Sequence, residues 1–130
     1  MRGLSPLQKQ ILIMAYQRKG HEKREARLEK ELKRDVTYWK MENHQHMKAK
    51  IERYNSEIDV TAADVFDEVF HVRDTAARVS VSRSFSRLEA RGLVNRWPDG
   101  GYFVYPLYSG ISLTQKGREQ AKELMVNMVT

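Results

Sequence analysis

Apolar side chains at helical spacing predict a first helix at residues 5–19. Recurrence every three or four positions places such residues on one face of a helix. Ser5 is a suitable N-cap, Pro6 suits the first helical position, and Gly20 is expected to end or kink the helix. The apolar positions are Leu7, Ile11, Met14 and Ala15.

Two further helical patterns lie in the middle of the chain. Thr61 and Asp64 form a capping box, which predicts a helix at 61–71. A polar connection at 73–77 then leads to a helix at 78–91, on which three apolar residues fall within about 60° of one another. We expect Ala62, Val65, Phe66 and Val69 to be buried in the first of these helices, and Val81, Phe85 and Leu88 in the second.

The pattern changes to extended chain after the second of these helices. Gly92 suits a left-handed C-terminal cap and Leu93 its hydrophobic closure. Residues 93–113 then predict a two-stranded hairpin with its turn at 98–101, and 57–60 is at most an edge strand. Thr114 caps a last helix at 114–129. The chain therefore predicts a single domain that is mostly α with a small β-hairpin, an α+β fold.

Residues 21–55 form a charge-dense block that interrupts this order. A solvated linker would carry more Gly, Pro and Ser than this block does, so we predict a helical extension, as one helix up to about 50 Å long or as two. Apolar residues recur along it at Leu28, Leu32, Val36, Trp39, Met47, Ile51 and Tyr54. A second copy of the chain would cover this stripe, which predicts a homodimer through Leu28, Leu32 and Trp39, joined by Leu124 of the last helix.

The polar face of the 78–91 helix is rich in arginine and serine. With the apolar stripe inward, Arg83 and Arg87 lie one turn apart on the opposite side, flanked by Ser80, Ser84 and Arg91. A helix fits the DNA major groove, where arginine pairs with guanine O6 and N7, and small hydroxyl side chains let the backbone approach phosphates. The competing interpretation is a solvated basic face on an ordinary helical domain.

Two motifs resemble winged helix-turn-helix transcription regulators of the MarR/PadR type. Residues 80–94, SVSRSFSRLEARGLV, are similar to the recognition helix and first wing strand of those families, and ISLTQKGR at 111–118 is similar to the "LTxxGR" end of their wing. The resemblance implies a winged helix-turn-helix with a long charged helical insertion after the first helix. It implies that Ser80, Ser82, Arg83, Ser84 and Arg87 enter the major groove of double-stranded DNA, and that Arg96 and the wing meet the backbone. Arg78 and Arg91 complete the set of predicted DNA contacts.

The wing departs from this family pattern, because no basic residue lies between Arg96 and Lys116. Four aromatic residues near its tip more often pack against a neighbouring element or subunit than stack on sugars. The alternative function is therefore a winged-helix module for protein interaction or assembly, for example in plasmid maintenance, without specific DNA readout.

Other functional classes find little support. The net charge of +6 favours an acidic partner, nucleic acid first and an anionic membrane surface second. The absence of cysteine excludes disulfides and thiol chemistry. Glu42, His44 and His46 are too divergent on a helix to bind one metal ion. We expect neither enzymatic activity nor a cofactor, and a cytoplasmic protein without a signal peptide or membrane span. Whether a small-molecule effector binds stays open.

Overall fold

The computed structural model describes residues 3–18, 22–23, 26, 49, 56–72, 74–97 and 110–129. This part of the chain is mostly helical with a small antiparallel sheet, so the predicted α+β class is confirmed. The elements in chain order are α1 Pro6–Gln17, β1 Val60–Thr61, α2 Ala62–Val65, α3 Thr75–Ala90, β2 Val94–Trp97, β3 Gly110–Leu113 and α4 Gln115–Val129. A π-helical turn at Phe66–Phe70 directly follows α2 and continues it.

Helix α1 begins as predicted and ends two residues earlier than predicted. Ser5 Oγ accepts the Gln8 N–H at 3.2 Å, and the Gln8 side chain accepts the Ser5 N–H at 3.1 Å, which is a capping box. The helix ends at Gln17 because Arg18 adopts a left-handed conformation with φ of 51°. The Arg18 guanidinium donates to the carbonyls of Ser56 and Ile58 at 3.0 and 3.1 Å. Contacts distant in sequence therefore hold this helix end.

The sheet has three strands in the order β1–β3–β2, with both pairs antiparallel. Its central strand pairs Ile111 with Val60 on one side and with Arg96 on the other. The edge strand considered at 57–60 is present, but it is displaced to Val60–Thr61. The sheet therefore extends the predicted hairpin by one short strand, which directly precedes α2.

Helices α2 and α3 follow one another through a short turn. Thr61 and Asp64 form the predicted capping box, with hydrogen bonds of 3.3 and 2.9 Å, and His71 ends the π-helical turn with φ of 57°. The polar connection predicted at 73–77 is wrong, because α3 begins at Thr75. The Asp74 carboxylate caps it by accepting the Ala77 N–H at 2.8 Å, so the helix starts three residues before the predicted position 78.

Gly92 ends α3 in the conformation predicted for it. Its φ is 74°, in the left-handed region that favours glycine. The Gly92 N–H donates to the Glu89 carbonyl at 2.9 Å and the Leu93 N–H to the Leu88 carbonyl at 3.1 Å. These two bonds define a Schellman motif, in which the buried Leu93 supplies the hydrophobic closure.

The end of α3 is joined directly to the start of α4. Thr114 Oγ1 caps α4 by accepting the Gly117 N–H at 3.0 Å, and it donates to the Gly92 carbonyl at 2.7 Å. A Cβ at position 117 would collide with the carbonyl oxygen of Leu93. Thr114 and Gly117 therefore pack directly against Gly92 and Leu93. The two sequence motifs that resembled a regulator family lie in contact.

One hydrophobic core unites these elements. The predicted inward residues of α3 are in it, with Phe85 1% exposed and Leu88 fully buried, while Val69 packs against it partly buried. Burial of this stripe fixes the rotation of α3 about its own axis, and so decides which residues face outward. Fully buried side chains come from α1, α2, α3, both hairpin strands and β1, and include Ile11, Leu12, Val60, Val65, Val81, Val94 and Ile111.

Candidate nucleic-acid interface

Helix α3 divides sharply into a buried and an exposed side. Arg78, Arg83 and Arg87, predicted as DNA contacts, are exposed along it, and Ser82 lies among them, also exposed. Ser80 is half-buried at the margin of the face. The exposed side therefore carries long cationic side chains with short hydroxyl side chains between them, together with the exposed Val79.

Ser84 is a correction to the predicted interface. It is only 7% exposed and belongs to the buried side of α3. The reason is its spacing, because Ser84 comes three residues after Val81 and four before Leu88, and both of those are core residues. Ser84 therefore belongs to the side of α3 that packs against the core, and not to the exposed side for which it was predicted.

Arg96 reaches from β2 onto the exposed side of α3. Its Nη1 donates to Ser86 Oγ at 2.6 Å and its Nη2 to Ser82 Oγ at 3.1 Å. The two serines lie four residues apart, on the same side of the helix. The guanidinium therefore lies over α3, held by two neutral hydroxyl groups.

Glu89 fixes the backbone from which Arg96 projects. Its carboxylate Oε2 accepts the Arg96 N–H at 3.0 Å, which ties the exposed end of α3 to β2. Glu89 thus places a negative charge beside the exposed side of α3. Its carboxylate accepts a hydrogen bond from the backbone N–H of Arg96. We call Arg96, Ser82, Ser86 and Glu89 the Arg96 cluster.

The C-terminal end of α3 carries further positive charge. Lys116 Nζ donates to the Arg91 carbonyl at 3.2 Å, which satisfies a carbonyl at the negative end of the helix. The exposed Arg91 side chain turns away from the α3 face, since its Nη2 donates to the Gly3 carbonyl at 3.4 Å. Arg91 therefore lies at the edge of the candidate interface, next to the N-terminal segment.

The charge of the surface is strongly positive. From Thr75 to Trp97 the sequence has five arginines and one acidic residue, Glu89, a local excess of four positive charges. The arginines are Arg78, Arg83, Arg87, Arg91 and Arg96. This excess accounts for two thirds of the net charge of +6 of the whole chain.

Sequence reasoning missed Ser86 and the position of Arg96. Ser86 was detectable, because it lies one helical turn after Ser82 and is separated from the core residue Leu88 by two positions, or about 160° around the helix. The reach of Arg96 back to α3 was not detectable from spacing. It depends on how the hairpin packs against the helix.

Several predicted residues fall outside the described part of the chain. These are the dimer residues Leu28, Leu32 and Trp39, the rejected metal candidates Glu42, His44 and His46, and wing residues 98–109. Leu124 of α4 is described, and it packs partly buried against the core. Within the described ranges, no group of three or more potential ligands is placed to hold a metal ion, and no helix is both long and apolar enough to cross a membrane.

Comparisons with known proteins add no relative to this picture. No family model, no curated protein and no solved structure matches the chain significantly. The function therefore has to be argued from the residues and their geometry.

Proposed function

We propose that this protein binds double-stranded DNA in a sequence-specific way and is a winged helix-turn-helix transcription regulator. The order of elements supports this, since α2, a short turn and α3 are followed by the β2–β3 hairpin and α4. In a helix-turn-helix the second helix enters the major groove. In this chain α3 would be that helix and the hairpin would be the wing.

The observation that carries the proposal is the exposed side of α3. It presents Arg78, Arg83 and Arg87 to solvent, with the guanidinium of Arg96 held over the same helix by Ser82 and Ser86. Arginine supports bidentate contacts with guanine and with phosphate that lysine does not make. Exposed arginines alone would be enough for solubility, so the two serines that hold the Arg96 guanidinium favour a binding role.

Duplex DNA suits this surface because of its shape. The major groove is about 12 Å wide and accepts one helix with its side chains. The short serines keep the middle of the α3 face low, while the arginines extend on either side of it. Contacts of the arginines with phosphates would supply most of the affinity and make it depend on salt.

The proposal is tested by a gel shift with duplex DNA at two salt concentrations. We expect binding with a Kd of about 1 μM or below at low salt, with affinity falling steeply as salt rises. Replacing Arg83 or Arg87 by alanine should weaken binding to a preferred site by about 1–3 kcal/mol. A protein that fails to bind duplex DNA at low salt would not be a DNA-binding regulator.

The second candidate is a module for protein interaction or assembly. It depends on the aromatic wing tip, and wing residues 98–109 lie outside the described ranges. The same gel shift separates the two, because a protein-interaction module would leave the duplex unshifted at low salt.

The proposed regulator is a homodimer. Two copies would present two α3 helices to half-sites about 34 Å apart on one face of the duplex. Sedimentation of the wild type against a Leu32→Asp, Trp39→Asp double variant tests this arrangement. A wild type that stays monomeric at tens of micromolar excludes it.

A further inference from the structure

We propose that Arg96 reads a base edge in the major groove and so determines specificity, although it comes from the hairpin and not from α3. This inference rests on the proposed function. It differs from the role that the family resemblance implies, in which Arg96 meets the DNA backbone.

The placement of the guanidinium is the first argument. Ser86 lies near the middle of the exposed side of α3, about 160° around the helix from the core residue Leu88. Nη1 of Arg96 lies 2.6 Å from Ser86 Oγ, and Nη2 lies 3.1 Å from Ser82 Oγ. A helix that enters the major groove brings the middle of its exposed side closest to the base pairs, and that is where this cation is held.

The hydrogen-bonding capacity of the group is the second argument. A guanidinium carries five N–H donors, and the two serine bonds use two of them. The three other donors exceed the two that a bidentate contact with guanine O6 and N7 requires. The serines thus position the side chain without using up its capacity to recognise a base.

Holding the Arg96 guanidinium in one orientation makes its contact with a guanine more favourable. A free arginine side chain gives up rotamer entropy when it binds, and the two hydroxyl groups reduce that loss by holding the guanidinium beforehand. The Glu89 carboxylate adds to this, because its bond to the Arg96 N–H at 3.0 Å fixes the backbone from which the side chain departs.

The same carboxylate favours a base over a phosphate. The Glu89 carboxylate lies at the backbone end of Arg96, where its negative charge disfavours a phosphate more than a base edge without net charge. The edge of a guanine carries no net charge and therefore meets less repulsion than a phosphate does. Arg87 follows Ser86 by one residue, so it lies about 100° further around the helix, towards one side of the groove, where phosphates are found.

The inference is tested by selecting binding sites from a pool of random duplexes with the wild type and with Arg96→Ala. We expect the wild type to enrich one sequence pattern. The variant should lose its preference at one base pair, by about 5- to 150-fold, and keep it elsewhere. The Ser82→Ala, Ser86→Ala double variant should lose part of the preference at that same base pair, because the guanidinium is no longer held.

The outcomes separate this inference from the proposed function. If the wild type enriches no pattern and binds no duplex, both are overturned. If the wild type selects a pattern that Arg96→Ala selects equally well, with all duplexes bound more weakly by one factor, Arg96 contacts the backbone and only this inference fails. Should Arg96→Ala melt far below the wild type, Arg96→Lys takes its place, because an ammonium keeps the charge and lacks the bidentate fork.

Discussion

Two arginines of this protein are held in place by quite different partners. Arg18, at the end of α1, pairs with the carboxylate of Asp59 at 3.6 Å and donates to two backbone carbonyls. The guanidinium of Arg96 is held instead by the hydroxyl groups of Ser82 and Ser86. The partners of Arg18 include a carboxylate that offsets its charge, while the hydroxyl groups that hold the Arg96 guanidinium are neutral.

The Arg18 site stabilises the fold. Asp59 is 6% exposed, and its Oδ2 accepts the Leu113 N–H at 2.7 Å while its Oδ1 faces Arg18. A buried carboxylate needs a cation and hydrogen-bond donors to offset its desolvation. This one joins the end of α1, the start of β1 and the end of β3, so its role is internal.

The Arg96 cluster has the opposite character. It lies on the surface, its anchors are neutral, and its carboxylate bonds to a backbone N–H. Because these bonds are exposed, water competes with them, and we expect them to contribute little to the free energy of unfolding. The difference supports the proposal that the Arg96 guanidinium is oriented for an external partner, whereas the guanidinium of Arg18 already has its partner inside the protein.

The largest expected effect concerns the orientation of α3, on which the contrast depends. Phe85→Ala should lower the free energy of unfolding by about 3–5 kcal/mol, because it removes a side chain that is 1% exposed from the core. Val79→Ala, at an exposed position of the same helix, should change it by less than about 0.5 kcal/mol. Chemical denaturation measures both. Equal stabilities would mean that α3 is rotated and that Ser82 and Ser86 do not face outward.

The next effect breaks the Arg18 site directly. Asp59→Ala should cost about 3 kcal/mol, since it leaves the Leu113 N–H and the Arg18 cation without their carboxylate. Asp59→Asn keeps an acceptor for Leu113 and should lose less. Urea titrations compare the two variants with the parent. If Asp59→Ala unfolds at the same urea concentration as the parent, the site contributes nothing to the fold.

A third effect tests the joint that connects α3 to α4. Gly117→Ala should cost about 1–3 kcal/mol, because the new Cβ would force the first turn of α4 away from the Leu93 carbonyl. Gly3→Ala meets no atom within 4 Å and serves as the matched control. Thermal unfolding of the two variants measures the difference. A Gly117 variant as stable as the control would show that the helices are not in close contact there.

The smallest expected effect on stability belongs to the Arg96 cluster. The Ser82→Ala, Ser86→Ala double variant should differ from the parent by less than about 0.5 kcal/mol in the free energy of unfolding, since both serines are exposed. Its DNA selectivity should nevertheless fall. A double variant that is as unstable as Asp59→Ala would make the cluster a structural site and remove the contrast between the two arginines.

The sequence predicted most of the local structure, because local signals encode it. Ser5, Thr61 and Thr114 cap the helices for which they were proposed, Gly92 has the expected left-handed conformation, and the spacing of Phe85 and Leu88 placed the core side of α3. Each of these depends on residues within one or two turns of the chain.

The errors lie where distant parts of the chain meet or where a local signal was overlooked. Arg18 ends α1 through contacts with residues 38 and 40 positions away. Arg96 contacts α3 from strand β2. The spacing of apolar residues along the chain predicts neither contact. Asp74 is an ordinary N-cap that was overlooked. Ser84 was predicted to flank Arg83 and Arg87 and, from the family resemblance, to enter the groove, but its spacing from Val81 and Leu88 places it on the buried side.

The central claim is that the exposed side of α3, and not positive charge in general, binds DNA. The direct measurement compares two double variants on the duplex selected by the wild type, each lowering the net charge from +6 to +4. Arg83→Ala, Arg87→Ala alters the α3 face, while Lys9→Ala, Lys122→Ala removes the same charge from exposed positions on α1 and α4. By fluorescence anisotropy at constant salt, the α3 variant should bind at least about ten-fold more weakly and the control within about three-fold of the parent. Equal losses in both variants, or an α3 variant that binds as the parent does, would contradict the account.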